Sequence, residues 1–374
     1  MRTHRVGAVL LLFAVVSIFG AMFLATIGID ALQGNNSFQF YADSQTYHEV
    51  ARGDLERIEG WFDTVGFAGN FLGPLVILRL TGENYYFVML FDVAVLAGSI
   101  ILLARTLRLD PLRYSLVLLA NPVVVSSILS VNKEVLGIAT LACMLNAFKT
   151  RSLAMSLAAA VLSFLMRWQM TVFVLVLVAA VGGLNPIRSR RGATLGVLLL
   201  ALSMLYLALA SAFETIRFNF ELGVQDYEGS GLYEWLVHMQ DAGYYWLVFP
   251  VKAAHLLFGL GLRLDRLLAP VDIYNDCIQL LHSTALLVLF VLLLRQRRFR
   301  LENDLIYASA IYLAIFAISP IYAPRYLLPV YVMWAAAAVG SAKPVRLFVS
   351  PHVRYRRRRM TVRDAGSSTA HFRS

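Results

Sequence analysis

Charge is scarce in this chain: only 15% of its 374 residues are Asp, Glu, Lys or Arg, while 59% are hydrophobic. That balance excludes a soluble domain of this length, which would need more polar surface. Cysteine is scarcer still. Cys143 lies inside an apolar run and Cys277 at the edge of another, so neither a disulfide framework nor a cysteine-based metal site is indicated. Nucleotide-binding signatures are missing too, with no GxGxxG after a strand pattern and no GxxxxGK[ST]. No repeat with a period of 20–50 residues is visible.

What is present is a series of apolar runs near the roughly 20 residues that a helix needs to cross a bilayer. The runs are continuous rather than alternating, which predicts helices instead of a barrel, since a helix satisfies its own backbone in lipid. The fold class expected is all-α: a polytopic membrane protein with about ten transmembrane helices. The net charge of +10 sits between the apolar runs and in the tail around residues 355–360, YRRRRM. Such a distribution sets topology and does not make a nucleic-acid surface.

The basic MRTHR places the N-terminus in the cytoplasm, and residues 6–29 are expected to form an uncleaved first span. The acidic segment 30–66 is then outside. Residues 67–80 are apolar but short and include Arg79, which predicts an interfacial or re-entrant helix; 85–104 returns to the cytoplasmic RTLRLDPLR. Residues 114–130 run outward, turn at VNKE, and 135–147 return to FKTRS. The 32-residue stretch 153–184 has basic segments at both ends, predicting two short helices with their apex at Arg167, Trp168 and Gln169. Residues 193–213 go outward; 244–262, apolar yet carrying Lys252 and His255, lie on the outer surface or, with a shifted count, form a true span; 276–294 end at RQRRFR, and the pair 305–319 and 325–339 delivers the tail inside. The expected organisation is a helical transmembrane domain over 1–341, with outer loops 30–84 and 214–275, and a disordered basic cytoplasmic tail over 342–374. The expected location is the inner (plasma) membrane, multi-pass, with both termini cytoplasmic.

This topology collects Asp43, His48, Glu49, Lys133, Glu134, Arg167, Gln169, Tyr322 and Arg325 at the outer ends of helices or in outer loops. Ionisable groups at membrane depth cost about 2.5–3.5 kcal/mol each on insertion scales, so they mark functional candidates. Each also has a plainer reading. Asp43 suits a helix cap, His48 a solvated surface position, and Arg325 an interfacial anchor. Arg167 is the hardest to explain so, because a lone Arg within an apolar stretch needs water or an anion. A carboxylate held outside the membrane beside several cations suits glycosyl transfer from a polyprenyl-phosphate sugar. The carboxylate takes the acceptor's proton while Arg and Lys hold the leaving phosphate.

The outer-loop DSQTYHEVA, the NKE turn and the late RYLLPVY together resemble the GT-C class of polytopic glycosyltransferases. That resemblance implies a catalytic Asp or Glu in the first outer loop, which by position is Asp43, with Glu49 and Asp54 behind it. It pairs Asp43 with Tyr47 and places Arg325, Tyr326 and Pro329 in the C-terminal region. The substrate-binding set is then Tyr47, His48, Glu49, Lys133, Glu134, Arg167, Gln169, Tyr322, Arg325 and Tyr326. The loop departs from metal-dependent members in lacking Asp-Asp or Asp-x-Asp, so no metal and no cofactor is expected, the lipid-linked sugar itself being the donor. The partners implied are that polyprenyl-phosphate sugar, a glycan, lipid or protein acceptor, and membrane lipids, but no nucleic acid. A single base without a covalent nucleophile predicts inversion at the sugar carbon. The chain also resembles envelope polysaccharide polymerases, while a lipid-linked saccharide transporter or flippase is the rival from another class.

Overall fold

The computed structural model describes residues 42–52, 61–183, 185–211, 213, 231–259, 277–319, 324–341 and 344–348, together with six positions between 6 and 15. At 42, 43, 45, 52, 61–70, 231, 233, 234 and 324 only the backbone is described. Most of the first expected span, Asp54, Tyr322, residues 214–230 and the tail from 349 lie outside the described residues.

Among the described residues the fold is all-α. Fourteen helices are described: α1 Ala42–Arg52, α2 Trp61–Thr81, α3 Tyr85–Leu107, α4 Pro111–Leu119, α5 Pro122–Ser126, α6 Glu134–Thr150, α7 Leu153–Met166, α8 Trp168–Val181, α9 Arg191–Ala208, α10 Gly231–Asp241, α11 Tyr245–Phe258, α12 Gln279–Arg295, α13 Asp304–Phe316 and α14 Leu328–Val339. A 3-10 turn, Pro324–Leu327, leads into α14. Two helices, α3 and α9, are long and apolar enough to cross a membrane; seven other apolar segments are shorter.

Local chemistry sets the boundaries. Asn84 starts α3 by accepting from the backbone N–H of Tyr86 and Phe87 at 3.0 and 3.3 Å. Asp110 and Ser152 do the same for α4 and α7. The span expected over 114–130 is split instead. Asn121 caps a new helix through the Val123 N–H, and Pro122 has no N–H with which to continue the old one. The apolar stretch from 153 breaks at Arg167, whose extended backbone (φ −176°, ψ 138°) both ends α7 and starts α8. Helix α1 begins at Ala42, so Asp43 stands inside the first turn and not at the capping position expected of it. Residues 344–348, assigned by the sequence to the tail, are docked: the Leu347 and Phe348 N–H groups donate to the Asp304 carboxylate, and Phe348 meets Phe148 edge to face.

Helix α6 packs against both α3 and α7, α2 against α1 and α7, α8 against α13, and α14 against α12 and α13. Two glycines allow the closest approaches. A Cβ on Gly73 of α2 would stand 2.1 Å from the Leu165 carbonyl oxygen, and one on Gly137 of α6 would stand 2.7 Å from the Met166 side chain. Both contacts bear on the end of α7, directly before Arg167. Outward faces are apolar as well, including Leu157 and Val161 on α7, Leu175 on α8 and Val197 and Met204 on α9, where a water-facing helix would be polar.

A repeated feature invisible in the sequence also emerges. The turns at 81–84 and 241–244 both contain left-handed residues, Gly82 and Glu83 in one and Gly243 in the other. Each opens a helix with a buried Tyr (Tyr85, Tyr245), a buried Val three residues on (Val88, Val248) and a buried charge seven on (Asp92, Lys252). Identity between the two is too low for periodicity to reveal, and the charges are opposite in sign.

Candidate functional site

The site forms where four elements meet: α1, the start of α6, the α7–α8 break, and the 3-10 turn before α14. At the start of α6, the Asn132 side-chain oxygen accepts from the Lys133 and Glu134 N–H groups at 2.7 and 3.4 Å. This satisfies backbone donors that the helix itself leaves open and fixes the two charged side chains at its mouth. Both are buried, Lys133 at 5% exposure and Glu134 at 2%. Neither carboxylate oxygen of Glu134 has a hydrogen-bond partner among the described residues. The Lys133 ammonium lies 5.6 Å from the centre of the Tyr47 ring, and Tyr47 packs edge to face on Phe71.

Arg167 comes from the opposite wall. It is 3% exposed, and its guanidinium lies over the Tyr326 ring, 3.6 Å from the centroid. Its Nε and Nη2 have no acceptor among the described residues, and the Gln169 Oε1 close by in sequence has no donor. Glu134, Tyr47 and Tyr312 all lie near enough to act on the Arg167 charge electrostatically. Yet no ion pair joins Arg167 to Glu134.

Tyr326 organises this side of the site. The Tyr312 hydroxyl donates to the Tyr326 carbonyl at 2.7 Å, and Tyr312 is itself wedged between Phe173 and Phe316. Arg325, 8% exposed, has its guanidinium 5.1 Å from the same Tyr326 ring and donates to its hydroxyl at 3.4 Å. Tyr326 thus carries a guanidinium group on its ring from each of two elements, Arg167 from the α7–α8 break and Arg325 from the 3-10 turn.

Of the residues singled out from sequence, Tyr47, Lys133, Glu134, Arg167, Arg325 and Tyr326 therefore share one neighbourhood, and Gln169 stands two residues beyond Arg167 on α8. His48 and Glu49 follow Tyr47 on α1, buried and half-buried. Asp43 lies one turn before Tyr47 on the same helix, with its backbone alone described. Tyr322 falls outside the described residues. Among the described residues no group of three or more His, Cys, Asp or Glu could hold a metal ion.

Sequence reasoning overlooked three features and took Lys252 only as a charge within the apolar run 244–262. Asp92 is fully buried on α3 with neither oxygen hydrogen-bonded among the described residues, and as a lone carboxylate in an apolar run it carried the same signal as Arg167. Asn132 and Tyr312 were not legible, because their roles come from partners distant in sequence or from cap geometry. Lys252 donates to the Gln240 side chain and, at 3.2 Å, to the Ser319 carbonyl; Gln240 donates to the Ile318 carbonyl at 2.6 Å. That pair anchors the chain just before it runs toward Arg325.

An apolar groove of about 1080 Å³ runs along the whole of α12, from Cys277 to Gln296. Its far wall is built by Leu116, Val125, Leu129 and, from α14, Tyr331. No family model, curated protein or solved structure matches this chain.

Proposed function

We propose that this chain is a polytopic membrane glycosyltransferase of the GT-C type, moving a sugar from a polyprenyl-phosphate donor to an envelope glycan, lipid or protein acceptor on the outer face of the plasma membrane. About ten spans carry it, with both termini cytoplasmic. The observation that carries this reading is the gap between Arg167 and Glu134. Burying a charge is costly unless it is paired, and these two lie within electrostatic reach while leaving their own hydrogen-bonding atoms unused. A ligand with both an anionic and a hydroxyl-bearing part fills that gap better than either residue fills it for the other.

In this mechanism Arg167, Arg325 and Lys133 hold the donor phosphate, and the Tyr326 ring keeps both guanidinium groups in place. The acceptor hydroxyl oxygen attacks the anomeric carbon, the bond from that carbon to the phosphate oxygen breaks, and polyprenyl phosphate leaves with the electron pair. Asp43 takes the hydroxyl proton. The arginines stabilise the charge that develops on the departing phosphate, and the single displacement inverts the sugar carbon. Glu134 and Gln169 accept hydrogen bonds from sugar hydroxyls, and the apolar groove along α12 supports an isoprenoid chain.

The test is transfer by purified protein in detergent, supplied with radiolabelled polyprenyl-phosphate sugars and an envelope lipid extract in the presence of chelator. Wild type should yield a labelled product and Asp43→Asn none, although the variant still binds donor. One observation favours a second reading. The repeated turns with buried Asp92 and Lys252 resemble the internal repeats of transporters. Donor that crosses a vesicle membrane uncleaved would select that reading instead.

A further inference from the structure

At the far end of α8 from Arg167, beside the start of α9, lies a second cavity of about 410 Å³. Arg188, Ser189, Arg191, Tyr307 and Arg346 line it, with Glu302 as a single carboxylate on its rim. The walls are knitted together by Asp304, which pairs with Arg191 and accepts from the Leu347 and Phe348 N–H groups. Arg191 also donates to the Leu301 carbonyl and lies 5.0 Å from the Tyr307 ring centre. This part of the lining is fully used by the fold. Arg188 is different: it is exposed and makes no ion pair among the described residues. Tyr307, 1% exposed, has its hydroxyl near Thr194 but completes no hydrogen bond among the described residues.

We propose that this pocket binds a phosphate-bearing anionic ligand, with Arg188 and Arg346 gripping the phosphate and Tyr307 and Ser189 donating to its oxygens. The inference goes beyond glycosyl transfer and depends only on the membrane reading. The pocket opens at the first residues of α9, one of the two span-length apolar helices, so it lies at the depth where phospholipid headgroups lie. Exposed Val178 on α8 and Val197 on α9 give acyl chains an apolar surface beside it. Basic pockets between spanning helices recognise anionic headgroups in this way, and a free phosphate offers the same chemistry.

The experiment is native mass spectrometry of the delipidated full chain, titrated with phosphatidylglycerol, with phosphatidylcholine of the same acyl length, and with inorganic phosphate. Wild type should prefer the anionic lipid by about 10–30-fold, a preference that Arg188→Gln with Arg346→Gln removes. Both side chains are exposed, and Arg188→Gln alone, which removes no ion pair among the described residues, should lower the preference while melting like wild type. Arg105→Gln with Arg108→Gln, an equal loss of charge elsewhere, should keep the preference. Inorganic phosphate that displaces the lipid at millimolar concentration, and fails to bind the pocket variant, would assign free phosphate as the source. A pocket variant that retains the preference, or a control variant that loses it equally, overturns the proposal.

Discussion

Two arginine–carboxylate corners of this molecule are built in opposite ways. At the base of α13, Arg191 and Asp304 form a direct ion pair, and the same carboxylate accepts two further backbone N–H groups. At the α7–α8 break, Arg167 and Glu134 are at least as deeply buried as the first arginine, yet they remain apart with unused atoms. The first corner joins three segments of chain and has no capacity left. The second keeps its capacity, and the proposed binding role rests on that difference.

Breaking the first corner should give the largest effect on stability. Asp304→Ala strands Arg191 and two backbone donors, and should cost about 3–5 kcal/mol in a reversible unfolding measurement in detergent. An Arg167→Gln substitution should do the reverse: donor turnover falls by about 10²–10³-fold, while the melting temperature holds or rises because an unpaired buried charge is gone. A fall in stability matching that of Asp304→Ala would show the two corners to be alike. The packing that delivers Arg167 should be worth somewhat less. Gly137→Ala should cost about 1–3 kcal/mol through its clash with Met166, and Met166→Ala in the same chain should recover part of that, as read by the same unfolding experiment. Smallest of all, Tyr326→Leu should remove about 0.5–2 kcal/mol of cation–π support from Arg167, seen as weaker donor binding with a loss of stability below that of Gly137→Ala.

The contrast also explains what the sequence could reveal. A lone Arg167 between apolar helices is legible because nothing local can satisfy it, and the helix break fell at that residue. Asp92 carried the same signal on α3 and was passed over. The split at Asn121 and Pro122 was equally legible, since an Asn-Pro step both caps and interrupts a helix. By contrast, Tyr326 as a shared platform for two arginines depends on Tyr312, fourteen residues earlier, and on packing by Phe173 from another helix. Likewise, Asp304 stands just outside the apolar run 305–319, and residues 344–348 read as part of the basic tail until the fold brings them together. The apolar helices themselves are legible by composition, but their lengths are not, because caps and prolines cut them below the limits of the hydrophobic runs.

The most direct measurement of the central claim is equilibrium binding of a labelled polyprenyl phosphate to wild type, Arg167→Gln and Arg191→Gln, each confirmed as folded. Weakening by about tenfold or more in Arg167→Gln, with little change in Arg191→Gln, is the result predicted for an arginine held open for a lipid phosphate. Equal affinity in wild type and Arg167→Gln would contradict it.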